Sequence, residues 1–435
     1  MKKSTDKKRE LAIIAGLRTP FCKANGAMRA ASAADLAAHV FREVLDRTPI
    51  RVGDIDEVVL GCAGQDAREA NVARVAALRA GLKESVPAFT VMRNCASGME
   101  AVLAARQKLR AGEGEVFLVG GTESMSNFPL LMGPQLTRFF TRLGKARSPW
   151  QRLRALASFR FASLKPRLAV VEGLTDPTTG LMMGSTAELV AQRFGITRAD
   201  MDALALQSHQ RAAEAQREQR FAAEIAPLVL MPDYRSVVLD DDGVRREQTL
   251  EALARLKPVF DRHEGDVTVG NSCQVSDGAV ALLCMSVARA EQLGLEPLAI
   301  VRGAATAGLS PRTMGLGPVH ATPAALQQAG LRLDQLDVVE LNEAFAAQVL
   351  GCFAAFADAD WCRDELGRAE PVGRLDPSRV NVNGGAIALG HPIAATGARL
   401  LLTLAHELRR RRARYGLATL CIGGGQGQAI VLEAA

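Results

Sequence analysis

Aromatic side chains make up only 4% of this 435-residue chain. Proteins that bind single-stranded nucleic acid usually stack bases on Phe, Tyr or Trp, so this scarcity argues against a nucleic-acid partner. The eight cysteines, at 22, 62, 95, 273, 284, 352, 362 and 421, contain no CxxC pair. Their spacings match neither a zinc site nor a disulfide framework, and reduced thiols in a cytoplasmic setting are expected, with no metal. No apolar run reaches the ~18 residues of a membrane span. The N-terminal stretch MKKSTDKKRELAIIAG has too short an apolar run for a signal peptide and lacks a small-residue cleavage site. Charge is nearly balanced, 53 Lys+Arg against 47 Asp+Glu, for a net +6.

What is present is the material of a large core: 48% hydrophobic and 23% charged residues, with 39 Gly and 18 Pro. That composition belongs to a globular chain, and the length suits two to three domains or one architecture built twice. Short apolar runs bounded by glycine (Leu11–Ala15, Glu57–Leu60, Ala88–Met92, Glu115–Val119) read as buried strands. They alternate with helical spacing over Ala33–Leu45, Ala70–Ala80 and Gly98–Arg110, which predicts an α/β fold with crossover connections. Two segments recur. Asp56-Glu-Val-Val-Leu-Gly is echoed by Asp337-Val-Val-Glu-Leu-Asn, and Glu115-Val-Phe-Leu-Val-Gly-Gly by Leu417-Ala-Thr-Leu-Cys-Ile-Gly-Gly, at similar offsets. Two related halves are therefore expected, 10–290 and 297–433, with residues 127–265 inserted in the first as a loop domain.

Four motifs can carry chemistry. Asn94-Cys95-Ala-Ser-Gly-Met-Glu follows a strand and opens a helix, where the dipole is expected to lower the pKa of Cys95 and make it a nucleophile. In Asn381-Val-Asn-Gly-Gly-Ala-Ile-Ala-Leu-Gly-His391-Pro, glycines frame the best-placed base among six histidines. Cys421-Ile-Gly-Gly-Gly-Gln-Gly puts a second thiol, a candidate proton donor, beside a glycine loop whose N–H groups can face an oxyanion. That loop lies too close to the C-terminus to be a dinucleotide fingerprint. Asn342-Glu343-Ala-Phe-Ala offers an amide at another strand end, although Asn is also a common helix N-cap.

Together, in this order, the motifs resemble the thiolase family over roughly residues 10–433. The resemblance implies a duplicated αβαβα five-layer fold with an inserted loop domain. It also implies an acyltransferase that cleaves 3-oxoacyl-CoA with coenzyme A, or runs in reverse as a condensation, with coenzyme A as substrate and no other cofactor. Cys95 would be the nucleophile, His391 its base, Cys421 the second acid/base, and Asn342 and Gly423 oxyanion groups. Met182 and Cys273 stand where biosynthetic thiolases place a histidine and a serine near the CoA pantetheine. His320 occupies a position usually held by Pro. All three are candidate CoA contacts. A ketosynthase-like condensing enzyme is the alternative, but such enzymes pair the cysteine with two histidines. A non-catalytic lipid-binding or scaffold member is the other.

Ser148-Pro-Trp-Gln-Arg-Leu-Arg and Ala359-Asp-Trp are similar to the thiolase β subunits of fatty-acid trifunctional complexes. That similarity implies a homo-oligomer, dimer or tetramer, and a hydratase/dehydrogenase partner subunit. Residues 124–171 hold nine basic side chains and no acidic one, so the rest of the chain nets −3. Apolar residues interleave with these cations, an amphipathic pattern over 135–168 suited to peripheral membrane contact, to a partner subunit or to acyl-CoA phosphates.

Overall fold

The computed structural model describes residues 10–435. A ten-stranded sheet organises them. Its main strands are β1 (Leu11–Arg18), β2 (Glu57–Gly61), β3 (Ala88–Val91), β4 (Val116–Ser124), β5 (Ser276–Ser286), β6 (Ala299–Gly308), β7 (Val338–Leu341), β8 (Tyr415–Ile422) and β9 (Gln426–Ala434). The order is β7-β8-β9-β6-β1-β5-β4-β2-β3. The ten helices used below are α1 (Ala33–Asp46), α2 (Val72–Arg79), α3 (Ser97–Ala111), α4 (Pro134–Lys145), α5 (Pro149–Ala157), α6 (Met183–Phe194), α7 (Arg198–Arg217), α8 (Gly317–Ala329), α9 (Ala346–Ala357) and α10 (Ile393–Arg411).

The recurrence in the sequence is a repeat in space. On one side β1 pairs antiparallel with β5, β5 antiparallel with β4, and β4 parallel with β2, which is parallel to β3. On the other, β6 pairs antiparallel with β9, β9 antiparallel with β8, and β8 parallel with β7. A single parallel bridge from Val339 to Val380 takes the place of β3. The half-sheets join edge to edge through a short antiparallel pairing, Ala12↔Ile300 and Ile13↔Ala299. The repeat extends to hydrogen bonds: Asp56 Oδ2 accepts from the N–H groups of Glu115 and Val116, and Asp337 Oδ2 from those of Arg414 and Tyr415.

Helices α3 and α10 form the middle layer between the half-sheets. Val102, Leu109, Leu400, Leu401 and Leu404 join β4, β5, β8 and β9 side chains in one buried cluster. Each such side chain taken out of water contributes about 1.5–3 kcal/mol. Helices α1 and α2 cover the outer face of the first half, and α8 and α9 that of the second. The result is the five-layer α/β architecture expected from the sequence. Close approach at its centre needs glycine: a Cβ on Gly121 would lie 2.0 Å from the Ala394 carbonyl oxygen, and one on Gly98 2.7 Å from the same atom.

The long stretch between β4 and β5 divides in two. Its later part is anchored: Arg18, fully buried on β1, donates to Glu224 (2.8 Å) and, bidentately, to Asp241 (2.6 and 2.9 Å). Its earlier part stands out in solvent. The single amphipathic pattern over 135–168 is broken into α4 and α5, because Ser148 caps a new helix that begins at Pro149. Phe140, Trp150, Leu153, Leu156 and Phe161 are all more than half exposed there.

Candidate active site

The polypeptide reaches the nucleophile position through a tight turn. After β3, Asn94 adopts φ +44, a left-handed conformation that Asn tolerates better than most residues. Asn94–Ala96 form one 3-10 turn before α3. The Ser97 hydroxyl ties it, accepting from the Arg93 N–H at 2.9 Å and donating to the Asn94 carbonyl at 2.7 Å. The backbone N–H groups of Gly423 and of Cys95 itself lie near enough to the Cys95 sulfur to favour its thiolate.

The expected lowering of the Cys95 pKa is not what the structure gives. Burial raises the thiol above its ordinary 9.0, and the two N–H groups offset only part of the cost of a desolvated thiolate. Nearby Glu123, a buried carboxyl, adds to the rise. Helix-end geometry alone was the wrong guide, because surrounding dielectric outweighs a partial positive charge here. Cys421, almost fully buried near the end of β8, is raised further, by burial and by its neighbours Cys95, Cys352 and Cys273. Cys273 is pushed up to about 12, again with Cys95 beside it. Cys421 thus has three other thiols around it, each from a different segment.

His391 sits just before α10, its N–H donating to the Gln274 carbonyl at 3.0 Å. Burial, helped by Arg399, lowers its pKa to about 4, so the imidazole is neutral at pH 7. Nδ1 lies 2.6 Å from the Thr396 hydroxyl, which in turn bonds the Pro392 carbonyl at 3.0 Å. A carbonyl can only accept. The hydroxyl proton therefore goes to Pro392, Thr396 accepts from Nδ1–H, and this network assigns a bare Nε2 that can take a proton. Glu123 on β4 accepts from Ala63, Gly64 and Ala394, binding the start of α10 to the loop after β2.

Asn342 follows β7 and is buried, and neither its amide nitrogen nor its oxygen has a hydrogen-bond partner among the described residues. Its neighbour Glu343 accepts from Ser208 (2.6 Å), Asn381 (2.9 Å) and the Ile387 N–H (3.3 Å), fastening β7 to the segment that leads into His391. A cavity of about 390 Å³ opens onto His391 and Cys273. Met182, Met183, Phe260 and Phe345 line it, with Arg245. Of the three candidate CoA contacts, Met182 and Cys273 face this cavity. His320 does not: it lies on α8, its ring edge-on to Trp361 at 5.5 Å.

Sequence reasoning had not singled out Thr396, Glu123 or Ser208. Thr396 carried a signal, falling within the same motif as His391. Ser208 carried none, since only the packing of α7 brings it to Glu343.

Comparisons with known proteins agree with this geometry. The thiolase N-terminal domain profile matches residues 11–288, and the thiolase C-terminal domain profile residues 295–434. The chain is 40% identical over 424 residues to a 3-ketoacyl-CoA thiolase of Yersinia pestis (strain Pestoides F), covering 97% of this chain and 96% of the relative. A Bacillus anthracis acetyl-CoA acetyltransferase structure superposes with TM-score 0.85 at 37% identity, covering 98% of this chain and 99% of that one. Human mitochondrial 3-ketoacyl-CoA thiolase, solved in complex with CoA, superposes with TM-score 0.84 at 34% identity over 99% of both chains. The chain belongs to the thiolase family. It is an acyltransferase enzyme of fatty-acid metabolism.

Proposed function

We propose that this enzyme cleaves 3-oxoacyl-CoA with coenzyme A through an acyl group carried on Cys95, and that the reaction is reversible as a condensation of acetyl-CoA. The observation that carries the reading is the grouping around one sulfur: two backbone N–H groups favour the Cys95 thiolate, Cys421 and Cys273 are its neighbours, and Cys273 shares a cavity with a neutral imidazole, His391.

In this mechanism His391 Nε2 takes the Cys95 proton as the sulfur attacks the 3-keto carbonyl. The N–H groups of Cys95 and Gly423 stabilise the resulting oxyanion, which is where preorganised donors contribute most. The Cα–Cβ bond then breaks and acetyl-CoA leaves as an enolate. Its oxygen is held by His391 and by a water on Asn342, whose unused donor and acceptor suit that task. Cys421 protonates the enolate carbon. A high thiol pKa suits this step, since Cys421 must hold its proton until the carbanion forms. The acyl group finally passes from Cys95 to a fresh coenzyme A, whose pantetheine arm would pass Met182 and Cys273. Cys95→Ala should abolish thiolysis of acetoacetyl-CoA and of longer 3-oxoacyl-CoAs; retained turnover would sink the proposal. A ladder of acyl lengths then defines the chain preference.

We also infer a two-half organisation over 10–290 and 297–433 and a cytoplasmic homo-oligomer, dimer or tetramer, with a hydratase/dehydrogenase partner subunit and peripheral membrane contact through 135–168. Strand β3, at one edge of the sheet, presents main-chain groups that a second copy could pair. Among the described residues no helix is long and apolar enough to cross a membrane. The exposed apolar side chains of α4 and α5, set among nine cations, suit an anionic surface. Light scattering checks the oligomer. Sedimentation with anionic and neutral vesicles checks the membrane contact.

A further inference from the structure

Gly423 supplies one of the two N–H groups that favour the Cys95 thiolate, and it belongs to a run of three glycines. Gly424 and Gly425 have φ of +92 and +82 in the turn that joins β8 to β9. The Gly425 N–H closes the turn on the Ile422 carbonyl at 3.2 Å and the Gly425 carbonyl accepts from Leu309 at 2.8 Å, while the Gly423 carbonyl is held from outside the turn.

The tether comes from the residue just before the nucleophile. The Asn94 side-chain amide donates to the Gly423 carbonyl oxygen at 2.8 Å. Arg93 reinforces it, donating to the Gln426 side chain at 2.8 Å and to Glu100 at 2.7 Å. Glu100 accepts in turn from Gln428 at 2.8 Å. Two adjacent residues of the first half thus grip the glycine loop of the second at both ends. The same Asn94, through its φ of +44, also sets how the chain enters Cys95 and so where the Cys95 N–H points.

We infer that Asn94 is the positioning residue of the oxyanion pair, with its left-handed backbone orienting the Cys95 N–H and its side-chain amide holding Gly423. The inference rests on the reading of Cys95 as nucleophile and of these two N–H groups as oxyanion donors. It adds that the two donors, one from each half, are set by a single residue. Misplacement by about 1 Å can cost on the order of 100-fold in rate, so a tether of this kind affects turnover without touching substrate.

The test uses the full-length enzyme and two variants that both accept a left-handed backbone, Asn94→Gly and Asn94→Asp. Asn94→Gly deletes the tether without adding strain. Asn94→Asp keeps the shape but faces a carboxylate to a carbonyl oxygen. Three quantities are measured: single-turnover acetylation of Cys95 by acetyl-CoA, read by mass; kcat and KM for acetoacetyl-CoA thiolysis; and Cys95 alkylation by iodoacetamide, a displacement that develops no carbonyl oxyanion.

In Asn94→Gly, acetylation and kcat should fall about tenfold or more with KM within about threefold of wild type, and alkylation should fall by clearly less than acetylation, since the displaced N–H supplies only part of the thiolate's stabilisation. Asn94→Asp should fall further. A merely structural role would make activity follow thermal stability; here Asn94→Gly should melt within about 3 °C of wild type yet lose most of its turnover. Wild-type acetylation in Asn94→Gly, or alkylation that falls in parallel with acetylation, overturns the inference. Acetyl-CoA labelling of wild type at a residue other than Cys95 overturns the underlying nucleophile assignment instead, and the mass map tells the two failures apart.

Discussion

The two halves keep the same strand order and the same aspartate anchor, Asp56 in one and Asp337 in the other, yet at matching strand ends they carry different residues. Near the end of β4 the first half places Glu123, a buried carboxyl with pKa raised to about 7, which holds backbone N–H groups. At the corresponding end of β8 the second half places Cys421 and the glycine loop. Where the first half has strand β3 leading into Cys95 and α3, the second has a single bridge at Val380, a longer segment and then His391 before α10. Duplication supplied two copies of a scaffold. Chemistry requires complementary groups, and the strand-end turns are where copies can diverge without disturbing packed layers.

The sharpest way to break the comparison is to remove one thiol at a time. Cys95→Ala should lose CoA-dependent cleavage by at least about 10⁴-fold, since it removes the sulfur proposed to carry the acyl group. Cys421→Ser should still accept an acetyl group on Cys95, while carbon–carbon cleavage and condensation slow by about 10²–10⁴-fold. Equal loss of both partial reactions in Cys421→Ser would erase the division of labour between the halves.

A subtler change acts on His391. Thr396→Val removes the hydroxyl that fixes Nδ1–H, and kcat should fall about tenfold with KM little changed, as a misassigned imidazole proton weakens the base. Rescue by Thr396→Ser would tie the effect to the hydroxyl. The pH profile of Cys95 alkylation sharpens the same point. Because burial raises the thiol above 9.0, the rate should still climb through pH 9. A plateau below pH 8 would mean a preformed thiolate, the state that helix-end placement alone would give.

The smallest expected effect tests the symmetry itself. Asp56→Ala and Asp337→Ala each strip an acceptor from two partly solvated N–H groups, so each should cost about 1 kcal/mol of stability. The two losses should agree within about 0.5 kcal/mol and should add in the double variant, as for independent sites. Denaturation midpoints of the three variants would show whether one half leans on its anchor more than the other.

Much of this was legible in the chain. The strands at Leu11, Glu57, Ala88 and Glu115 could be read because they are short apolar runs punctuated by glycine, and all four form. Cys95, His391, Asn342 and Cys421 were legible because each sits at the junction of an apolar run with Gly, Asn or Pro. His320, expected as a CoA contact, lies away from the cavity that Met182 and Cys273 line. Nothing local to residue 320 reveals that α8 turns its ring to Trp361 rather than to the cavity.

The sequence by itself determined the period of the strands and helices, the doubling of the fold, the candidates for the reactive groups and the uneven charge of residues 124–171. These are local or compositional properties, carried by neighbours along the chain. Only the tertiary structure decided the protonation states and the partnerships: a Cys95 thiol raised rather than lowered, a His391 held neutral at pH 7, a Glu343 anchored from α7, and a glycine loop gripped by Asn94 from 329 residues away. Desolvation and long-range hydrogen bonds depend on which segments are brought together when two half-sheets close on α3 and α10. No window of sequence contains that information.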